Sequence, residues 1–298
     1  MAMNSIIELP GNSWTEAVAS EVQDRAIESL EEGKVLYFPH LAFELLPGED
    51  AFLQPKWSTG DAKNISFERE TGQIWGVSGS DAEKTALSRM LRRYADSTRE
   101  FLQNLLPTYA STLLQARTSF RPIEISGRAS SYRKDDTRLH VDSFPSRPTG
   151  GKRILRVFCN INPEGKPRCW RIGEGFREYA QRFAGRVPQP IPGFRFVLSL
   201  VGATKGYRSL YDHYMLGLHD QGKLDMDYQR QSPQEAFAFP PGSTWMCFTD
   251  QALHAVDSGQ HLLEQTFHLP RASLRHPERS PLTVLEDIVG RPLCASIR

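Results

Sequence analysis

Apolar and polar positions follow two different rhythms along this chain. Up to about residue 115 the spacing is helical, and beyond it short runs with a two-residue period take over. Residues 13–32 (SWTEAVASEVQDRAIESLEE) repeat Ala17, Val18, Val22, Ala26, Ile27 and Leu30 on one helical face, with Asn12 or Ser13 placed to cap the start and Gly33 to end it. KVLYFP (34–39) reads as a buried strand. A second helix is predicted from Asp81 to Leu106, with Leu87, Met90, Leu91, Tyr94, Phe101, Leu102 and Leu105 on its apolar side. After Pro107, the run from Tyr109 to Ala116 predicts a helical continuation past a break. Residues 40–80, including KWSTGDAKNISF, carry no motif and read as a lid or substrate loop.

The second half predicts strands at RPIEISGR (121–128), SSYRKDD (130–136), RLHVDSF (138–144), KRILRVFCNINP (152–163), FRFVLSLVG (194–202), EAFAFPPGSTWMCF (235–248) and HLLEQTFHLP (261–270). Two helical patches interrupt them, near 174–185 and 205–222. A loop over 271–283 leads to a short helix around Leu282–Val289. Many short strands at this spacing predict a jelly-roll sandwich or barrel. The fold class is therefore α+β with a mainly β core: a double-stranded β-helix of the cupin kind under an N-terminal helical layer. The expected organisation is one domain, 1–298, with a helical support (1–115), the β core (116–270) and a C-terminal tail (271–298).

Composition narrows the function classes. The 298 residues carry 36 Lys+Arg against 35 Asp+Glu, too balanced for a protein that coats nucleic acid. Four scattered cysteines without a CxxC pair exclude a disulfide scaffold and fit a reducing compartment. No apolar run reaches the ~20 residues of a membrane span, and no signal-peptide pattern opens the chain, so a cytoplasmic location is expected. The basic residues are uneven: 27 Arg against 9 Lys, with a local excess of +6 between Arg117 and Arg156. A near-neutral chain with one basic stretch is expected to bind an anion there.

The candidate chemistry lies in that stretch. His140 and Asp142 form an HxD pair, and on an extended strand residues i and i+2 share a face. Both can then ligate one ion. With 8 His and 15 Asp, chance alone supplies ~0.4 such pairs, so HxD by itself says little. Context adds weight, because His254 follows a PPG turn and a strand, where a jelly roll returns the chain beside the HxD segment. Of the other histidines, His213 and His219 fall in a helical patch, His261 and His268 in or near the last strand, and His40 and His276 in loops. Two histidines and a carboxylate on one face, with positions left open, are the ligand set of non-haem Fe(II) oxygenases that use a 2-oxo acid and O₂. A 2-oxo acid needs a cation for its distal carboxylate, usually about ten residues past the second histidine. From His254 to Pro270 there is none; Gln260, His261 and Gln265 stand there instead. Alternation along 152–163 puts Arg156, Phe158 and Asn160 on one face, and an arginine amid so apolar a strand needs an anionic partner. Arg156, with Asn160 and Gln265, is therefore expected to hold the co-substrate, an internal carboxylate being the other partner open to Arg156. Lys152, Arg128 and Arg138 remain alternatives.

Two long phrases, LHVDSFPSRPTGGKRILRVFCNINPEGKPRCWRIGEGF and FPPGSTWMCFTDQALHAVDSGQHLLEQTFHLP, resemble the bacterial Kdo hydroxylases, which act on 3-deoxy-D-manno-oct-2-ulosonic acid in the inner core of lipopolysaccharide. The resemblance covers about 125–270. It implies an Fe(II)- and 2-oxoglutarate-dependent dioxygenase that uses O₂ to hydroxylate C3 of Kdo attached to lipid A, releasing succinate and CO₂. It carries the metal positions onto His140, Asp142 and His254; Arg156 as co-substrate anchor comes from the strand-face argument alone. An acidic, phosphorylated acceptor fits the basic stretch, with Arg147, Arg138, Arg128 and Tyr132 as substrate-binding candidates and Trp170 as a further stacking surface. A lipid-linked acceptor implies transient contact with the inner membrane face, for which Tyr207, Leu210, Tyr211, Tyr214, Met215 and Leu218 in 205–222 are candidates. Oligomeric state stays open. Two rival readings also stay open: a 2-oxoglutarate oxygenase of another small anion or a protein side chain, and a non-enzymatic cupin-type sugar-binding module.

Overall fold

The computed structural model describes residues 4–60, 64–125, 127, 131–190 and 207–294. Arg128 and the strand predicted over 194–202 lie outside them. The described strands form two sheets. The larger runs in the order β1 (Ile6–Glu8), β2 (Val35–Phe38), β9 (Thr244–Phe248), β6 (Arg153–Asn160), β11 (Leu262–Leu269), β5 (Leu114–Arg121), β3 (Ile65–Phe67) and β4 (Ile74–Trp75). The smaller runs β10 (His254–Ser258), β7 (Arg168–Gly173), β8 (Gln234–Phe239), and His140 adds an antiparallel bridge to His254 at its edge.

From β5 onward, eight segments pair first with eighth (β5–β11), second with seventh (His140–His254), third with sixth (β6–β9) and fourth with fifth (β7–β8). That nesting is the winding of a double-stranded β-helix. It brings residues more than a hundred positions apart to the same place, which no local sequence signal can do.

Each sheet has one face toward the other and one face under helices. Helices α1 (Ser20–Glu31) and α2 (Asp81–Leu105) cover the larger sheet, burying Ile27, Leu30, Phe101 and Leu105 against Leu155, Val157, Met246 and Phe267. A reciprocal capping box between Ser80 and Glu83 starts α2. Helices α3 (Phe176–Phe183), α4 (Leu210–Leu224), α5 (Met226–Gln231) and α6 (Pro281–Val289) lie on the other side; α3, α4 and α6 pack against Leu139, Val141, Leu253 and Ala255. Between the sheets sits an aromatic core of Tyr37, Phe158, Trp170, Phe239 and Trp245. The face of β6 opposite Arg156 is buried, and Arg153 there pairs with Asp250 at 2.7 Å, both about 1% exposed.

Several expectations change. Helix α1 begins at Ser20, not at residue 13, because Asn12, Ser13 and Thr15 make local hydrogen bonds with Glu16 and each other that compete with a helical start. The predicted helical continuation to Ala116 is instead a turn followed by β5, held by partners on both edges, β11 and β3. Among the described residues of the strands predicted over 121–128 and 130–136, only Arg121, the end of β5, is in a strand, and Tyr132–Lys134 form a 3₁₀ turn. The 1–115 region is not only helical, since it supplies β1 to β4 and the first residues of β5; 40–80 contributes β3 and β4, not a free loop. Strand β7 was not expected. The apolar side of α4 is core: Tyr211, Tyr214, Met215 and Leu218 are buried, leaving Tyr207 exposed. No helix among the described residues is long and apolar enough to cross a membrane.

Candidate active site

His140 and His254 face each other across an isolated bridge, each backbone N–H donating to the other's carbonyl at 3.1 and 3.0 Å. Asp142, two residues on, is fixed by its N–H to the Thr249 carbonyl at 2.8 Å. One ligand atom from each of His140, Asp142 and His254 lies within 4.8 Å of the other two, as one metal ion requires.

The ring nitrogens show which atoms are free. His140 Nδ1 donates to the Arg138 carbonyl at 2.7 Å and His254 Nδ1 to the Ala252 carbonyl at 2.9 Å. Both Nε2 atoms are thereby the unprotonated, ligating nitrogens. Burial, helped by the charge of Lys223, pushes His140 well below its usual pKa, and burial lowers His254 as well. Burial alone would raise Asp142, but Arg156, with Nη1 3.1 Å from Oδ2, holds it below the ordinary carboxylate value. Two neutral imidazoles and one carboxylate are the donor forms that a divalent metal takes. Trp170 stacks on His254 at 5.1 Å between ring centroids. Trp170 is buried, so it orients a ligand and does not offer a free face to sugar.

The triad opens into a pocket between the sheets that holds three further cations, Arg121, Arg156 and Arg168, and two further acids, Asp136 and Glu264. Sequence reasoning placed Arg156 here, and it is here, but engaged with internal carboxylates: Asp142, and Glu264 at 3.4 Å. Arg121 donates to Glu264 at 2.8 Å. Arg168 differs. It is about 1% exposed, donates to the Gly259 carbonyl at 2.9 Å, leaves Nε without a hydrogen-bond partner, and forms no ion pair with a carboxylate among the described residues. Burial and the neighbouring charge of Arg121 push it down to about 9. Asp136, Glu264 and Glu124 oppose that shift from beyond ion-pair distance; a buried guanidinium with no carboxylate in direct contact is costly, and a bound carboxylate would satisfy it bidentately. The donor set and this one unneutralised arginine together fit a metal plus an anionic co-substrate.

The other expected residues lie elsewhere. Asn160 donates to the Lys166 and Phe239 carbonyls and accepts from Asn162 N–H, so it ties a loop. Gln265 fills an irregularity between β11 and β5, bonding Thr118, Ala116 and Thr266. Neither lines the pocket. Arg138 bonds Asp135 and the Lys223 carbonyl. Tyr132 lies under Arg133 on the 3₁₀ turn. Arg147 follows the metal segment, partly exposed. Arg121, Arg168 and Glu264 were missed. For Arg168 the signal existed: in RCWRIG, alternation puts it on one face with Trp170 and Ile172.

A double-stranded β-helix whose mouth carries two histidines, one carboxylate and an unneutralised arginine defines the class of non-haem Fe(II), 2-oxo-acid-dependent oxygenases. A sequence model of the 3-deoxy-D-manno-oct-2-ulosonic acid (Kdo) hydroxylases matches residues 13–292. Crystal structures of the Kdo hydroxylase KdoO, a non-haem Fe(II) α-ketoglutarate-dependent dioxygenase, superpose on this chain with 99% of each chain covered. The complex with α-ketoglutarate and Fe(III) is 57% identical with a TM-score of 0.96; the complex with cobalt(II) is 58% identical with a TM-score of 0.97. No curated protein sequence matches the chain. The chain belongs to the Kdo hydroxylase family.

Proposed function

We propose that this protein hydroxylates C3 of Kdo in Kdo-lipid A, working against the inner face of the cytoplasmic membrane. As a Kdo hydroxylase it is an Fe(II)- and 2-oxoglutarate-dependent dioxygenase. The observation that carries the active-site assignment is the meeting of His140, Asp142 and His254 beside an arginine that has no carboxylate partner.

His140 Nε2, His254 Nε2 and an Asp142 carboxylate oxygen would hold the iron. When bound, iron with 2-oxoglutarate and O₂ supplies the oxidising power that converts a sugar C–H to C–OH as the 2-oxo acid becomes succinate and CO₂. Everything else is the protein's work. Arg168 takes the distal carboxylate of the co-substrate, reversing our sequence assignment to Arg156. Arg156 keeps Asp142 ionised and turned toward the histidines. Arg121 keeps Glu264 charged at 2.8 Å, so the acid serves the arginines and does not repel the anion. Phe158, Val256 and Leu262 supply the apolar wall that excludes water from the reacting carbon.

Acceptor-dependent succinate release tests this. It should require a Kdo-bearing lipid A precursor and not respond to free amino acids; the reverse dependence would favour an oxygenase of a different substrate. Ligand binding that survives His140→Ala, with no need for iron, would favour a sugar-binding module.

A further inference from the structure

The inner face of the larger sheet continues past the pocket. Glu264 of β11 stands opposite Ser119 of β5, Ser119 opposite Ser66 of β3, and Ser66 opposite Trp75 of β4. Residues directly opposite one another project from the same face of a sheet. The pocket floor therefore extends three strand spacings, roughly 14 Å, to an edge strand. The row is small and polar, then aromatic: Asn64 Nδ2 donates to Ser119 Oγ at 2.8 Å, and the Trp75 indole is 36% exposed.

Two cations meet this shelf. The Arg117 guanidinium, on β5, lies 4.3 Å from the centre of the Trp75 ring; its Nε is buried without a hydrogen-bond partner, and it makes no ion pair among the described residues. Arg147 lies in the loop after the metal segment, whose Phe144 ring sits 5.4 Å from the pocket's Arg156 guanidinium; its N–H donates to the Phe144 carbonyl, and it makes no side-chain ion pair among the described residues. Burial, then the charge of Arg147, push Arg117 below its ordinary value, with Glu68 pulling the other way. The Arg117 guanidinium, held against the indole without an acid and repelled by Arg147, costs the free protein stability, and an anion bound by both arginines removes that cost.

We propose that Arg117, Arg147 and Trp75 form an acceptor subsite on this shelf that grips an anionic group, carboxylate or phosphate, adjoining the sugar in the pocket. The proposal deepens the reading of the pocket as a Kdo hydroxylase site and rests on it. The indole and the hydroxyl row give a sugar an apolar patch and hydrogen-bond partners, while the arginines read charge.

The test uses the full chain with Fe(II), 2-oxoglutarate and two acceptors: Kdo-bearing lipid A and the same lipid after phosphatase treatment. Arg117→Gln, Arg147→Gln and Trp75→Ala variants are compared with wild type for acceptor KM, kcat and acceptor-independent succinate formation. Losing one charge-assisted contact should raise acceptor KM about 10- to 100-fold in each arginine variant. The kcat and the acceptor-independent succinate formation should stay unchanged, which also shows that the variants fold. If the gripped group is a phosphate, dephosphorylation raises the wild-type KM to the variant level. If it is the sugar carboxylate, the variants lose the same factor on both acceptors. Variants with wild-type KM on both acceptors overturn the subsite while leaving the hydroxylase reading standing. Wild type that hydroxylates neither acceptor overturns both.

Discussion

Two backbone carbonyls decide what the histidines can do. By accepting from Nδ1 of His140 and His254, Arg138 and Ala252 leave both Nε2 atoms free for a metal. Replacing His140 or His254 with Ala should abolish tight Fe(II) or Mn(II) binding and hydroxylation together, read by metal analysis and turnover. The arginines divide their tasks. Arg168→Gln should raise the KM for 2-oxoglutarate by roughly 10- to 100-fold, the range of a lost hydrogen bond to a charged group, with acceptor KM unchanged. Arg156→Gln should instead weaken metal binding, since its nearest carboxylate is Asp142. An unchanged co-substrate KM in Arg168→Gln would move the anchor to another arginine. At this scale the triad was legible because His and Asp announce ligation by residue type. The arginine we propose as anchor was not legible, because β6 and β7 each carry two arginines and only burial and partners tell them apart. Arg153 pairs with Asp250, Arg171 with Asp257, and Arg156 with Asp142 and Glu264, which leaves Arg168 as the buried strand arginine without an acid.

Strands and turns set how firmly those residues are held. Gly259 follows β10 with φ +129°, and a Cβ there would meet Arg168 Cδ at 2.9 Å and its Cα at 3.1 Å. Gly259→Ala should therefore cost about 1–3 kcal/mol in chemical denaturation and raise the 2-oxoglutarate KM along with it. In β6, Arg153→Leu strands the Asp250 carboxylate inside the protein and should cost about 3–5 kcal/mol. In β11, burial would raise Glu264, yet Arg156 and Arg121 hold it below its ordinary 4.5. A carboxyl lowered on folding stabilises above its unfolded pKa, and that contribution disappears as pH falls through the folded value. Wild type should lose stability faster than Glu264→Gln as pH drops from about 5 to 3; parallel acid-unfolding curves would contradict the assignment. Elements with strong local signals, such as α2 with its capping box and β9 after the PPG turn, were legible in sequence. Those decided by partners were not: β5 carries a helical spacing at its start, β3 and β4 are three and two residues long, and β7 is a six-residue run between Pro167 and a glycine-rich turn.

The whole molecule is helices, larger sheet, smaller sheet, helices, with its chemistry in the middle layer. Ligands that bind only this assembled state should stabilise it. Mn(II) with 2-oxoglutarate, each at a hundredfold excess over Kd without O₂, should raise Tm by roughly 10 °C or more, from about 2.7 kcal/mol per ligand and 2–4 °C per kcal/mol. His140→Ala should show no such shift. The jelly-roll class was legible from the texture of residues 116–270, while the extent of the larger sheet was not, since β1, β3 and β4 come from the region that reads as helical support and only β2 there was read as a strand. That extension is what carries the floor of the pocket out to Trp75. Hydroxylation of the Kdo unit is read by mass spectrometry of Kdo-lipid A incubated with the protein, Fe(II), 2-oxoglutarate and O₂. The expected result is a gain of one oxygen atom, about 16 Da, confined to the Kdo fragment, matched by equimolar succinate and absent with Asp142→Ala. Succinate formed without any change in the Kdo fragment, or a gain on the lipid A portion, would contradict it.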